Sequence, residues 1–234
     1  VQIRPPQPNL MQNNKIYSRN HLKIFDKIIT KKRLEIVDII NSQIVLNNIS
    51  DILDIGTTSD TENISSNFII KNLKNVKNFY SISDQSITSP FFKKKLQKSI
   101  IENFSEYEIE NFKSDLVVSN ATIEHVGNYN NQKTMVSNMI KLSKKMVIIS
   151  TPYRYHPLEF HTKIPFIHWL PKKIHRMILK KFNLVFYSKE ENLNLLSRSD
   201  LSSFIKNEKI RSEFKYIKFL FLRSNLIFIL KKYT

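Results

Sequence analysis

The sequence predicts an α/β fold: a mostly parallel sheet wrapped by helices and closed at its C-terminal end by an antiparallel hairpin. Three observations carry this. Residues 51–60, DILDIGTTSD, are an apolar run that stops at Gly56, one of only two glycines in the chain. A buried strand halting at a glycine is how open α/β sheets present a ligand site at a carboxyl edge, although strand–acid–glycine turns also serve as plain connections. Apolar, β-branched runs then alternate with helical periodicities, which argues for parallel strands joined by helices. Finally, 212–231 reads as two strands turning around Arg223-Ser224-Asn225.

Taken in order, residues 1–18 read as a polar arm. Leu22, Phe25, Ile28, Ile29, Leu34, Val37, Ile40 and Ile44 recur at helical spacing, predicting one or two amphipathic helices ahead of the strand at 51–55. A helix over about 65–73 follows, then a strand at 78–83 ending at Asp84. A Lys-rich helical stretch spans about 91–95, with a short strand near 98–102 ending at Glu102 and Asn103. The clearest strand is 115–119, running into Asn120, Ala121, Glu124, His125 and Gly127. A helix at about 131–143 leads to a strand at 146–150, and right-handed crossovers place the strand ends on one edge. Residues 153–171 are dense in aromatics, His and Pro. A basic amphipathic helix at about 172–182 and two short helices within 189–207 precede the hairpin. The domain division expected is an N-terminal arm with helices at 1–48 and a main domain at 49–234, with a lid-like insertion at about 152–210.

Length and composition narrow the function. At 234 residues and 41% hydrophobic, the chain suffices for one large domain. It has no cysteine, which excludes disulfides and thiolate metal sites and points to a reducing cytoplasm. No apolar run approaches the ~18 residues of a membrane span, and the first residues lack the apolar core of a signal peptide. The net charge of +17 suits nucleic acid, anionic lipid or an acidic substrate. It also follows from a Lys/Asn/Ile-rich composition that scatters lysine over every solvated face.

Acids at Asp54, Asp84 and Glu102 fall at or just past expected strand ends. An acid after the second strand is placed to accept hydrogen bonds from ribose hydroxyls. The first turn lacks a G-x-G-x-x-G loop, so a nucleoside without a diphosphate fits better than a dinucleotide. His125 and His161 are candidate general bases, with packed or capping imidazoles as the alternative. His156, His161, His168 and His175 cluster in sequence, but without cysteine or an H-x-x-x-H pair, and with Pro157, Pro165 and Pro171 between them, they do not read as a metal set. Segment 153–171 reads as an acceptor lid bearing Arg154, His156, Glu159 and His161. A core-covering loop with Phe166 and Trp169 buried fits as well. Helix 172–182 has a basic face suited to an anionic membrane surface or simply to solvent.

DILDIG, an acid after the next strand, SDLVVSNATIEHVG and MVIISTP together resemble the motif series of class I S-adenosylmethionine-dependent methyltransferases, over about 50–231. TTSD at 57–60, SSN at 65–67, SNATIEHVG at 119–127, TPYRYHPLEFHTKIPFIHWLP at 151–171, ENLNLL at 191–196 and RSNLIFIL at 223–230 resemble a bacterial type 11-like subgroup. The resemblance implies a Rossmann-like seven-stranded sheet and S-adenosylmethionine as cofactor. It implies that Asp54, Gly56, Thr57, Thr58, Ser59 and Asp60 line the methionine part. Asp84 or Ser83 would meet the ribose, Glu102 or Asn103 would lie beside the adenine, and Asn120 and Ala121 beneath the sulfonium. The acceptor is expected to be a small molecule or a lipid- or glycan-linked one. Other readings are a basic nucleic-acid-binding protein or RNA methyltransferase on the same fold, and a degenerate cofactor-binding domain, prompted by the glycine-poor turn.

Overall fold

The computed structural model describes residues 18–60, 66–206 and 209–233. Residues 1–17 of the expected N-terminal arm, and Ser65 of the SSN motif, lie outside them, while Ser18 begins a helix. Seven strands form one sheet in the order β3-β2-β1-β4-β5-β7-β6. They are β1 Asp51–Ile55, β2 Asn78–Ser83, β3 Lys94–Gln97, β4 Ser114–Asn120, β5 Ser143–Pro152, β6 Ile210–Phe219 and β7 Leu222–Lys232. The first five run parallel, and β7 inserts antiparallel between β5 and β6. Helices are α1 Ser18–Leu46, α2 Phe68–Lys71, α3 Glu106–Phe112, α4 Tyr129–Leu142, α5 Lys172–Lys181 and α6 Arg198–Phe204.

Alternation along each strand builds two apolar layers, because successive side chains leave a strand on opposite faces. Leu53, Val117, Val147 and Ile149 pack with Met135, Val136 and Met139 of α4 and with Leu201 and Phe204 of α6. Ile52, Leu116, Val118 and Ile148 pack on the other side against Ile36, Val37, Ile40 and Ile44 of α1 and against Ile69 and Ile70 of α2. The C-terminal half of α1 is thus part of the core, and α1 is one uninterrupted helix.

Several sequence expectations are corrected. Residues 94–97 form an edge strand where a helix was expected, and 98–102 is a turn rather than a strand. Lysine is a good solvated edge residue, and Lys94 and Lys95 are exposed on β3. Helix α2 spans one turn, entered through Asn67 in the left-handed region at φ 56°. Among the described residues between 189 and 207 there is one helix, α6, capped by Ser197 and Asp200. The hairpin turns at Leu220-Phe221, both at positive φ, so Asn225 lies inside β7 opposite Pro152 and Ile217.

Candidate active site

The carboxyl ends of β1, β2 and β4 open on a cleft of about 230 Å³ lined by Gly56, Ser83, Asp84, Ile100, Thr122 and His125 among others. Gly56 sits at φ +86°, where an L side chain is strained, and a Cβ there would come within 2.6 Å of Thr122 Cγ2. The glycine therefore lets the β1 turn and the β4 turn close on each other at the cleft floor.

Asp54 stands behind this turn and does not line the cleft. Its Oδ2 accepts from Thr57 Oγ1 at 2.6 Å, and Thr57 Oγ1 accepts from Ser81 Oγ at 2.8 Å. Burial pushes the Asp54 carboxyl up to about 6, partly opposed by the Thr57 hydrogen bond. Ser83 Oγ donates to the Thr57 carbonyl at 2.7 Å, so the ends of β1 and β2 are stapled through Thr57. Thr58 and Ser59 are held from outside the loop: Asn67 Oδ1 accepts from Thr58 N, and Gln85 Oε1 accepts from both Ser59 N and Ser59 Oγ at 2.9 Å. Asp60 Oδ2 accepts from Ser66 Oγ at 3.0 Å. Asn67 and Gln85 were missed from sequence because amides distant in the chain give no local signal.

Ser83 and Asp84 lie on the cleft wall. Glu102 and Asn103 are not among its lining residues. Glu102 Oε1 accepts from Ser99 N at 3.1 Å within its own turn, and Ser99, Ile100 and Ile101 form that wall in their place. Lys98 also lines it, and its hydrogen bonds to Glu108 hold that carboxyl down at about 2. Asn120 ends β4 with its Oδ1 accepting from Ser150 Oγ, and Ala121 takes φ 51° to turn the chain over the strand ends.

The β4 turn then brings two sequence-distant groups together. Glu124 and His125 lie in a 3-10 turn, Ile123–His125, and meet His161 from segment 153–171. One ligand atom from each lies within 4.8 Å of the others. The His125 and His161 rings stand edge to face at 5.0 Å. His125 Nδ1 is 2.6 Å from the Asn192 carbonyl, and His161 Nδ1 is 2.7 Å from Glu159 Oε1. Desolvation lifts Glu159 and lowers His161, but their mutual hydrogen bond and attraction outweigh it. Glu159 falls to about 2 and His161 rises. Glu124 is fully buried. Thr151 Oγ1 donates to its Oε2 at 2.9 Å, while Oε1 has no hydrogen-bond partner. Glu124 was missed as a site residue, although its place between the strongest strand and a histidine was a usable signal.

The other expected acceptor contacts lie elsewhere. His156 is buried inside the loop, its Nδ1 bonded to Leu158 and its carbonyl accepting from His168 Nε2 at 2.7 Å. Arg154 lines a separate cavity with room for about one water, beside His168, Lys172 and His175. Burial, with His168 adding to it, pushes His175 down to about 4. Phe166 and Trp169 are exposed, so the segment does not bury them as a core cover would.

No protein-family model and no curated protein matches the sequence. Solved structures do match. Magnesium protoporphyrin IX methyltransferase from Synechocystis PCC 6803, with bound SAH, superposes with TM-score 0.57 at 10% identity, over 94% of this chain and 90% of that one. The chain has the class I methyltransferase fold. The small RNA methyltransferase HEN1 matches with TM-score 0.56 at 15% identity, over 86% of this chain and 25% of that one. An O-methyltransferase family protein from Burkholderia thailandensis matches with TM-score 0.52 at 10% identity, over 93% and 61%. In this methyltransferase fold the cleft occupies the carboxyl edge where open α/β sheets bind ligands.

Proposed function

We propose that this chain is an S-adenosylmethionine-dependent methyltransferase acting on a small-molecule, lipid-linked or glycan acceptor. The observation that carries the reading is the cleft itself. It combines a side-chain-free floor at Gly56, an acid at Asp84 and an apolar wall at Ile100 and Ile101, in the fold of a methyltransferase that was crystallised with SAH.

These residues fit the cofactor. Asp84 would accept hydrogen bonds from ribose hydroxyls, Ile100 and Ile101 would flank the adenine, and the turn at 56–60 would hold the methionine part. Bound there, S-adenosylmethionine supplies a methyl already activated by a sulfonium, so the protein needs to contribute mainly alignment. Asp54 acts on the loop and not on the ligand, by fixing Thr57. His125 stands on the cleft wall and His161 directly behind it, and this pair is assigned to the acceptor side.

Calorimetry with SAH tests the reading. Wild-type protein binds in the micromolar range, Asp84→Ala weakens binding tenfold or more, and Asp54→Asn leaves it within about threefold. Absence of SAH binding by the folded chain would sink the reading. SAH binding without methyl transfer to any acceptor class would favour the degenerate-domain reading instead.

A further inference from the structure

Around Glu124, His125 and His161, each side chain has one heteroatom committed to a protein partner and one left over. The Asn192 carbonyl can only accept, so His125 Nδ1 carries the proton and Nε2 keeps a lone pair. Glu159 Oε1 accepts from His161 N and lies 2.7 Å from His161 Nδ1, so Nδ1 is the ring nitrogen committed to Glu159 and Nε2 is the one left over. Thr151 occupies Glu124 Oε2, which leaves the buried Oε1 without a donor. A ligand atom from each of the three lies within 4.8 Å of the others, and each side chain is oriented by its own outer partner: a carbonyl, a carboxylate and a hydroxyl. That is the arrangement by which proteins aim imidazole and carboxylate at a metal ion.

Charge points the same way. Glu124 and Glu159 are both buried, and among the described residues their ion-pair partners are the two histidines. Glu124 has a single donor, Thr151 Oγ1, and a cation beside its buried Oε1 would satisfy the atom that no protein group reaches.

We infer that Glu124, His125 and His161 form a binding site for a divalent first-row transition ion, at the inner end of the cleft. Two imidazole nitrogens with one carboxylate oxygen suit Mn²⁺, Fe²⁺, Co²⁺ or Zn²⁺ rather than Mg²⁺ or Ca²⁺. His125 Nε2 and Glu124 Oε1 are 4.0 Å apart. Three ligands around one ion at ~2.1 Å stand roughly 3.0–3.4 Å from one another, so the set closes by about an ångström on loading. Three protein ligands leave coordination positions open, and His125 places them toward the cleft. The role of those positions, holding an acceptor oxygen, rests on the methyl-transfer reading; the site itself does not. The histidines 156, 168 and 175, which drew attention in the sequence, take no part.

The test uses the untagged full chain, stripped with chelator and titrated with Co²⁺, followed by visible absorption and calorimetry. The expected result is one ion per chain with ligand-field bands. Apparent affinity falls at least tenfold in Glu124→Gln and in His161→Gln, and is unchanged in the control His175→Gln. SAH binding to each protein, measured alongside, reports that the fold is intact. No saturable Co²⁺ binding by SAH-competent wild type overturns the site, and so does equal binding by the Glu124 and His161 variants. Co²⁺ binding with no SAH binding leaves the metal site standing and removes the cofactor reading.

Discussion

At the residue scale, Asp54 shows how loop order is obtained against a local cost. The carboxyl titrates from 3.8 in the unfolded chain to about 6 when folded, because burial outweighs the single Thr57 hydrogen bond. Below the lower value it is neutral in both states and contributes nothing. As pH rises between the two values the unfolded chain ionises first, and stability falls until the folded value is passed. Asp54→Asn keeps an acceptor for Thr57 and is expected to gain ~1–3 kcal/mol near neutral pH, with the gain vanishing below about pH 4. Urea melts across that range check it, and a pH-independent difference would contradict it. Gly56 shows the opposite kind of constraint. Gly56→Ala meets both the positive φ and Thr122, costs roughly 2–4 kcal/mol, and abolishes SAH binding. Adding Thr122→Ala recovers only the part due to overlap, which thermal unfolding of the double variant measures.

At the element scale, the irregular segment before α6 does the work that a helix was expected to do. Asn194 N donates to the Glu124 carbonyl at 2.7 Å, Asn194 Nδ2 donates to the Gly127 carbonyl at 2.8 Å, and Asn194 Oδ1 accepts from Lys172. Gln132 Nε2, from α4, donates to the carbonyls of Ile123 and Asn194. The 3-10 turn bearing Glu124 and His125 is thus held by one side-chain hub. Asn194→Ala strands the buried Gly127 carbonyl and is expected to cost ~1–3 kcal/mol in denaturant unfolding. Within-error stability for that variant would show the hub to be dispensable. Of the two helices read within 189–207 only α6 forms among the described residues, and the other is absent because buried amides bonding to backbone look, in sequence, like any polar stretch. The reading of 91–95 as a helix failed because lysines on an edge strand and on a helix face are the same residues.

At the scale of the whole molecule, surface charge and the exposed face of α5 combine. Ile174, Met177 and Phe182 are exposed among Lys173, Lys180 and Lys181, while Leu179 and His175 face inward. No helix among the described residues is long and apolar enough to cross a membrane. This face is suited to rest on an anionic bilayer, where apolar contact and lysine attraction act together. Co-sedimentation with phosphatidylserine vesicles is expected to exceed that with neutral vesicles and to fall severalfold in Met177→Glu. Equal recovery with both vesicle types would remove this prediction. A salt titration of binding to generic RNA separates a phosphate-driven binder, whose affinity drops steeply with salt.

What the sequence by itself determined was the centre of the sheet: the apolar runs in DILDI, DLVVS and MVIIS prescribe two buried faces, and Gly56 marks where β1 must stop. Ser83 and Asp84 at the end of β2 were legible for the same reason, since a strand's last residues lie on the ligand edge whatever surrounds them. The tertiary structure alone decided that Asp54 faces Thr57, that Ile100 and Ile101 replace Glu102 and Asn103 on the wall, and that Glu124 and His125 meet His161. Those outcomes depend on which distant backbone reaches each polar atom first, and pairing across 37 residues, from Glu124 to His161, leaves no periodic trace in the chain.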